Sequence, residues 1–183
     1  MNTTTTTHLL LRTFTIEDIT PQYLTALNDP TIVGLTEARH RKWTPQSATD
    51  YVKDSNQPGF SELVGIFLKD TKKHIGNIRL FNFHEVHKRV ELGIMLYDKA
   101  EWSKGYGTES IIGIEDYVFN TLHYHKICAD YYENNTGSAR MFKKAGYVIE
   151  GVFKDHFYLH DHYVDSIHIA KFNPQHRQKE HTT

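Results

Sequence analysis

Hydrophobic and polar side chains alternate along residues 89–97. Every second position of this stretch is apolar, namely Val90, Leu92, Ile94 and Leu96. A period of two residues is typical of a pleated β-strand. Residues 108–122 follow a different period, with apolar side chains three or four positions apart at Ile111, Ile114, Val118 and Leu122. Because that spacing places the side chains on one face of a helix, the pattern predicts a strand, a short turn and a helix.

The same two periods predict the remaining elements. Further strands are expected at residues 8–14, 60–69, 74–83, 126–132, 147–158 and 163–172. Further helices are expected at residues 15–27, 44–55 and 137–145. This order predicts the α/β (α+β) class, with a mixed, mostly antiparallel central sheet of about seven strands flanked by about four helices. We expect one domain over residues 1–183, with disordered ends at about 1–7 and 173–183.

Charge and cysteine content exclude several classes of protein. The chain has 183 residues, a formal net charge of -1 and one cysteine, Cys128. A net charge so close to zero provides no basic field for nucleic acid. A single cysteine excludes an intramolecular disulfide and fits a reducing compartment. Its apolar strand context favours buried packing over a nucleophilic role.

Membrane and metal-binding signals are missing from the sequence. No apolar run is long enough to span a membrane, and the N-terminal threonine run lacks the charged and apolar regions of a signal peptide. We therefore expect a cytoplasmic protein. The 13 histidines are scattered, and none joins cysteine or acidic residues at a recognised zinc spacing, so no metal is expected.

A glycine-rich turn at residues 102–108 connects the first predicted strand and helix. Gly105 and Gly107 permit unusual backbone angles and close approach of a ligand. The first N–H groups of the following helix lack intrahelical partners and suit a phosphate, and Lys104 adds a positive charge. The turn lacks the third glycine of a dinucleotide fingerprint and the Lys-Ser/Thr of a P-loop. A purely structural turn is the alternative interpretation of these residues alone.

Two motifs in this part of the chain match one enzyme superfamily. The form Trp-x-Lys/Arg-Gly-Tyr-Ala/Gly-Thr-Glu matches at Trp102, Lys104, Gly105, Tyr106, Gly107, Thr108 and Glu109. The later signature Asn-x-x-Ser…Gly-Phe/Tyr matches at Asn135, Ser138, Gly146 and Tyr147. The chain thus resembles the GNAT superfamily of acyl-CoA-dependent N-acyltransferases, in its Rim-type branch of ribosomal-protein N-terminal and spermidine N-acetyltransferases. The resemblance runs from about His8 to Phe172, although Trp102 departs from the Arg/Gln of the commoner coenzyme A loop.

The resemblance implies acetyl-CoA as cosubstrate, without a metal, and direct attack of an amine in a ternary complex. It also implies a set of coenzyme-binding residues: Met95, Leu96, Lys104, Gly105, Tyr106, Gly107, Thr108, Asn135 and Ser138. Glu91 is the first candidate for the general base, acting through water, and His84 is the second. For Glu91, a structural ion pair with Arg89 or Arg79 is the alternative.

The departing thiolate needs a proton donor. Many members of the superfamily carry a tyrosine four residues before the glycine of the second signature, where this chain has Phe142. Ser138 is the candidate acid that the Rim-type branch suggests, and its alternative role is to start a helix. Tyr131 and Tyr132 also stay open as donors.

Residues 31–42 correspond to the segment that commonly lines the acceptor site in this superfamily. The candidate acceptor-binding residues are Glu37, Arg39, His40, Arg41 and, from a predicted strand end, His84. Arg39 and Arg41 suit an anionic acceptor, and an exposed charged loop is the alternative. We expect a small-molecule primary amine such as an amino sugar or sugar nucleotide. A ribosomal-type protein N-terminus, a polyamine and a non-catalytic coenzyme A-binding module are the alternatives. Acyl preference and oligomeric state, with a homodimer among the options, stay open.

Overall fold

A computed structural model of the chain describes residues 3–176, which contain one sheet of eight strands. In chain order the strands are β1 (Thr4–Thr5), β2 (Leu9–Thr13), β3 (Ser61–Leu68), β4 (His74–His84), β5 (Arg89–Leu96), β6 (Lys126–Tyr132), β7 (Val148–Leu159) and β8 (His162–Phe172). Across the sheet the order is β1-β2-β3-β4-β5-β6-β8-β7. Every neighbouring pair is antiparallel except β5 and β6, which run parallel. The predicted mixed, mostly antiparallel sheet is confirmed, with one strand more than expected.

Within the described residues, five α-helices flank the sheet: α1 (Pro21–Leu27), α2 (Pro30–Val33), α3 (Pro45–Asp54), α4 (Tyr106–Asp116) and α5 (Thr136–Lys144). Proline begins α1, α2 and α3, at a position where its missing N–H group costs no hydrogen bond. Their N-termini are capped by side-chain oxygens of Thr20, Asp29 and Thr44. The helix predicted at residues 15–27 is therefore divided, because a 3₁₀ turn at Ile16–Asp18 precedes a newly capped α1.

The described ends of the chain are ordered, whereas the sequence suggested disorder. Thr4 and Thr5 form β1 and pair with β2, since backbone hydrogen bonding does not require apolar side chains. At the other end, Asn173 is 1% exposed and donates its side-chain N–H to the carbonyl of Tyr124 at 3.1 Å. The expectation of disorder at 1–7 and 173–183 is therefore wrong for these residues. Residues 1–2 and 177–183 lie outside the described part of the chain.

Each face of the sheet buries an apolar cluster. The cluster beneath α4 includes Val90, Leu92, Ile111 and Ile114. The cluster beneath α1 and α3 includes Tyr23, Val52 and Phe67. Burial of such a side chain stabilises the fold by roughly 1.5–3 kcal/mol. Because side chains alternate along a strand, packing Val90 and Leu92 against α4 turns Glu91, Gly93 and Met95 toward the opposite face.

The parallel strands β5 and β6 separate along their length. Their paired register runs from Arg89 and Lys126 to Glu91 and Cys128, where it ends. β5 nevertheless continues to Leu96, so the strands leave a gap within the sheet. α4 follows β5 and α5 follows β6, which brings the N-termini of both helices to the open end of this gap.

β7 forms the outer edge of the sheet, beside β8. Its register shifts between Ile149 and Gly151 and again between Phe153 and Phe157. Asp155, within the second irregularity, has a left-handed φ of 51°. The exposed apolar side chains of this strand include Val148, Ile149, Val152 and Phe153. The edge strand is therefore broken into short regular stretches.

Candidate active site

Two cavities open on the two sides of the gap between β5 and β6. The loop-side cavity has a volume of about 930 Å³ and is lined by residues of the turn at 102–108 and the start of α5. The sheet-side cavity has a volume of about 730 Å³ and lies on the face of the sheet that carries α1 and α3. Both cavities are lined by Leu35, Thr36, Ile94, Met95, Asn135 and Ser138. Two molecules, one in each cavity, can therefore meet at these residues.

α4 directs its N-terminus toward the loop-side cavity. Gly105 is the N-cap and has a φ of 91°, a left-handed conformation that strongly favours glycine. No side chain of the described chain caps this helix, so its first N–H groups have no capping partner. These groups form the positive end of the helix dipole, which suits a phosphate group. Gly105, Gly107 and Thr108 all line the cavity.

Gly107 allows α4 and α5 to approach closely. A Cβ atom at this position would lie 2.5 Å from the Sδ of Met141 and 3.5 Å from the Cδ1 of Leu96. Met141 and Leu96 both line the loop-side cavity. A side chain at position 107 would therefore displace groups that define the shape of the cavity.

The other residues of the turn hold it in place. Trp102 donates its indole N–H to the carbonyl of Leu96 at 2.9 Å, which ties the turn to the end of β5. Lys104 forms an ion pair with Glu101 at 2.9 Å, and Tyr106 lies beside the ring of His8. Neither Lys104 nor Tyr106 lines the loop-side cavity, although the sequence pattern placed both at the coenzyme.

Asn135 and Ser138 lie where the two cavities meet. The side-chain oxygen of Asn135 accepts a hydrogen bond from the backbone N–H of Ser138 at 3.0 Å and caps α5. The helix-starting role that the sequence offered to Ser138 thus belongs to Asn135, and this cap holds the Asn135 side chain and the Ser138 backbone at the cavity wall. Of the predicted coenzyme-binding residues, seven line the loop-side cavity: Met95, Leu96, Gly105, Gly107, Thr108, Asn135 and Ser138.

Phe142 occupies the position at which many relatives carry a tyrosine. It is 3% exposed, and it stacks on Tyr131 with ring centroids 6.4 Å apart. Tyr131 lines the sheet-side cavity, and burial raises the pKa of its phenol, which keeps the group protonated near neutral pH. Tyr132 is engaged elsewhere, because its hydroxyl donates to Glu37. Of the hydroxyl groups considered as thiolate donors, Ser138 and Tyr131 therefore remain available near the junction.

The predicted acceptor segment divides into residues that line the sheet-side cavity and residues that support it. Glu37 and Arg41 line the cavity. Arg39 instead contacts Tyr132, donating to its hydroxyl at 2.5 Å, and donates to the Tyr158 carbonyl at 3.1 Å. His40 is exposed and faces Glu37 at 3.7 Å. Arg39 thus connects the short 3₁₀ turn at Glu37–His40 to the sheet. The positions of Arg39 and His40 do not support their predicted contact with the acceptor.

Glu91 lies on the same face of the sheet as the sheet-side cavity, but outside its lining. It pairs with Phe81 of β4 and Cys128 of β6. Its Oε1 lies 3.8 Å from the Nη1 of Arg89, so one of the two predicted structural ion pairs is present. Gly93, two residues further along β5, does line the cavity, which places Glu91 about 7 Å from it along the strand.

His84 lies away from both cavities. It stacks on His87 with ring centroids 4.3 Å apart and accepts a hydrogen bond from the backbone N–H of His87. His84 ends β4, and His87 lies in the turn that leads to β5. The position of His84 therefore does not favour a role as general base or as a residue that binds the acceptor.

The sheet-side cavity also contains polar residues that sequence reasoning missed: Asn77, Arg79, Asp130, His156 and His168. The strand register explains their meeting, because Arg79 pairs with Gly93 and Asp130 pairs with His168. Ser166 donates to Asp130 at 3.4 Å and lies 3.2 Å from the Nε2 of His168. In the sequence, these residues are polar positions that alternate with apolar ones. Such alternation predicts the face of the sheet on which a side chain lies, but not which residues of other strands lie beside it.

The described residues contain neither a metal-binding cluster nor a helix that could span a membrane. Within residues 3–176, no group of three or more histidine, cysteine, aspartate or glutamate side chains could hold a metal ion. In the same range, the helices are too short or too polar to cross a bilayer.

Comparisons with known proteins agree with this geometry. The probable N-acetyltransferase YjcK of Bacillus subtilis is 31% identical over 116 residues, 62% of this chain and 63% of the relative. The spermidine N(1)-acetyltransferase of Escherichia coli is 26% identical, over 55% of this chain and 53% of the relative. The chain thus spans less than two thirds of both. The structure of spermidine N-acetyltransferase from Vibrio cholerae, in complex with CoA and spermine, superposes with a TM-score of 0.81, at 19% identity, over 92% of this chain and 97% of that one.

The acetyltransferase (GNAT) domain matches residues 8–148, well over half of the chain. The matched segment contains the separated strands β5 and β6, the uncapped N-terminus of α4 and the junction at Asn135 and Ser138. On this evidence, the chain belongs to the GNAT acetyltransferase family.

Proposed function

We propose that this protein is an acetyl-CoA-dependent N-acetyltransferase that acts on a primary amine of a small molecule. The observation that supports this most strongly is the meeting of the two cavities. Ile94, Met95, Asn135 and Ser138 line both of them, so a donor on the loop side and an acceptor on the sheet side reach one point. Direct attack in a ternary complex requires such an arrangement, because it brings the two reacting groups together without a covalent enzyme intermediate.

The loop-side cavity fits the chemistry of coenzyme A. The backbone N–H groups at the start of α4 suit its pyrophosphate, and Gly105 and Gly107 allow the close approach that this requires. Asn135 and the separated edge of β5 offer polar groups for the amide-bearing arm. Acetyl-CoA supplies a thioester, whose carbonyl oxygen gains negative charge as the amine attacks. Backbone N–H groups near Met95 and Leu96 are the proposed donors to that oxygen.

The proton steps fall to side chains on the sheet-side face and at the junction. We assign removal of the amine proton to Glu91, acting through water. Glu91 lies on the same face of the sheet as the sheet-side cavity, and it pairs with Phe81, which lines that cavity. His168 is the alternative base, since it lines the cavity. Its Nε2 lies 3.2 Å from the Oγ of Ser166, which donates to Asp130. Ser138 is the proposed donor to the departing thiolate, and Tyr131 is the alternative.

The relatives suggest other acceptors. Several are spermidine or ribosomal-protein alanine acetyltransferases, so a polyamine or a protein N-terminus is the second candidate for this chain. The cavity volume of about 730 Å³ favours a small molecule, because sites of this kind measure roughly 300–1,000 Å³. A non-catalytic coenzyme A-binding module is the third candidate.

Thiol release from acetyl-CoA tests the proposal. The acceptor panel contains simple amines, spermidine, amino sugars, amino-sugar nucleotides and peptides with free N-termini. We expect release that depends on one class of small amine. Release with peptides alone would replace the small-molecule acceptor by a protein terminus. Tight coenzyme binding by calorimetry, with no release across the panel, would support the non-catalytic module.

A further inference from the structure

A buried amide in the wall of the sheet-side cavity has no hydrogen-bonding partner. Asn77 is 6% exposed, and neither its Oδ1 nor its Nδ2 forms a hydrogen bond within the described chain. The amide lies near His74, whose pKa burial lowers to about 4, and the two side chains do not form a hydrogen bond. A buried polar group left unpaired destabilises the folded protein. Because Asn77 lines the cavity, a ligand there can satisfy it.

Arg79 stands beside Asn77 on the same face of β4, two residues further along. Its Nε is buried without a partner, and residues 3–176 offer its guanidinium no carboxylate within ion-pair distance. The guanidinium lies over the rings of Tyr51 and Phe81, at 5.7 and 5.4 Å from their centroids. These aromatic contacts hold the charge in place while its N–H groups stay available.

The floor between this pair and the opposite wall is open. Arg79 pairs with Gly93, and a Cβ built on Gly93 would meet only the Phe81 ring, at 3.9 Å. Asp130 lies on β6, two strands from Arg79, and the separation of β5 and β6 at this point widens the about 10 Å that two regular strand spacings would give. The cavity thus carries a cation on one wall and a carboxylate on the other. A ligand with opposite charges at its two ends fits this distribution.

We propose that the amine acceptor carries an anionic group, a carboxylate or a phosphate, which Arg79 and Asn77 bind. The guanidinium offers two parallel N–H donors to such a group, and the Asn77 amide adds a third. Asn77 pairs with Met95 at the junction of the cavities, so an acceptor held by Asn77 and Arg79 lies beside the proposed thioester. This inference rests on the proposed acetyltransferase function and makes Arg79 a determinant of its specificity.

Matched acceptor pairs test the inference. The carboxylate arm compares β-alanine, γ-aminobutyrate and 5-aminovalerate with ethylamine, propylamine and butylamine. The phosphate arm compares glucosamine 6-phosphate with glucosamine. We expect at least one anionic member to exceed its partner in kcat/KM by about 10- to 100-fold, the range of a hydrogen bond to a charged group. The arm that shows the preference identifies the anion.

Three variants locate the effect. Arg79→Gln and the charge-retaining Arg79→Lys should both reduce the preference, and the glutamine variant should abolish it. Asn77→Leu should also reduce it, while its melting temperature stays the same or rises, because an unpaired buried amide is removed. Lys53→Gln, which removes one positive charge from the exposed side of α3, should keep the wild-type preference.

The outcomes separate this inference from the proposed function. Turnover of plain amines or spermidine, without any preference for an anionic partner, would overturn the inference and leave the enzyme standing. A preference that survives in folded Arg79→Gln would also overturn it. Coenzyme binding without thiol release from any amine would overturn the proposed function and the inference together.

Discussion

The two cavities of this site are built from different parts of the polypeptide. The loop-side cavity depends largely on backbone: a left-handed Gly105, an uncapped helix and a glycine packed against Met141. The sheet-side cavity depends on side chains from β4, β5, β6 and β8, together with the turn that Arg39 holds down. Backbone groups recognise a constant ligand without regard to side-chain identity, whereas side chains can differ from one protein to the next. Substitutions in this protein can therefore change the choice of acceptor without changing coenzyme binding.

The largest expected effect is a loss of turnover from a change on the sheet side, with coenzyme affinity unchanged. If Glu91 acts as the base, Glu91→Gln should lower kcat by about 100-fold or more, since a positioned base contributes that much. Coenzyme affinity, measured by calorimetry, should not change, because Glu91 lies outside the loop-side cavity. His168→Gln is the matched variant. A loss confined to His168→Gln would transfer the role of base to that residue.

The next effect should fall on the loop side. Gly107→Val places new atoms against the Sδ of Met141, so coenzyme affinity should fall by roughly 10- to 100-fold. Trimming the neighbour in Gly107→Ala/Met141→Ala should recover part of the affinity lost in Gly107→Ala. Gly151→Ala is the control, because a Cβ at Gly151 meets nothing within 4 Å. Equal affinities for all these variants would remove the loop-side cavity as the coenzyme site.

Arg39 and Arg41 should differ in what they contribute to the sheet-side cavity, the first to stability and the second to acceptor binding. Arg39→Ala should lower the free energy of unfolding by about 1–3 kcal/mol, because it removes hydrogen bonds to Tyr132 and Tyr158. Arg41→Ala should leave that free energy nearly unchanged and raise the KM of an anionic acceptor, since Arg41 lines the cavity and is exposed. Urea denaturation and steady-state kinetics measure the two quantities. The reverse result would restore Arg39 as the acceptor contact.

A smaller effect is expected where the cavities meet. Ser138→Ala should slow thiol release by about 10-fold if its hydroxyl donates one hydrogen bond to the leaving group. The helix cap should survive, because Asn135 accepts from the backbone N–H of Ser138 and not from its side chain. Tyr131→Phe is the parallel variant. Unchanged release in Ser138→Ala, with slowed release in Tyr131→Phe, would assign the proton to the phenol.

The smallest expected effect concerns stability in α4. Burial raises the pKa of Glu115 from 4.5 to about 7, although Lys171 lies 3.9 Å away and opposes the shift. A carboxyl whose pKa is raised on folding stabilises the protein below pH 4.5 and loses that contribution as pH rises toward 7. Glu115→Gln should therefore stabilise the protein by about 1 kcal/mol or more at pH 8, and little at pH 4.5. Denaturation at both pH values measures this.

Asp116→Asn is the matched control for that experiment, because Asp116 is the exposed neighbour of Glu115. It should keep the loss of stability seen in the wild type between pH 4.5 and 7. An identical pH dependence in Glu115→Gln and the wild type would show that Glu115 does not titrate in this range.

The two cavities also differ in how far the sequence predicts them. The turn from Trp102 to Thr108 and the pair Asn135 and Ser138 are short contiguous motifs. Both motifs lie at the loop-side cavity, although Lys104 and Tyr106 do not line it. Alternation along β5 correctly separated Glu91 and Gly93 from the buried row. Arg79, Asp130 and His168 lie far apart in the chain and meet only through strand register. Register depends on all the strands together, so no local pattern could have joined these residues.

β7 has a consequence for how the protein behaves at high concentration. An edge strand with exposed Ile149, Val152 and Phe153 can recruit another strand and start aggregation. Its two register shifts and the left-handed Asp155 interrupt the row of hydrogen-bonding groups that such growth requires. The irregular backbone thus protects solubility, together with the charged side chains of Glu150, Lys154 and Asp155 on the same strand.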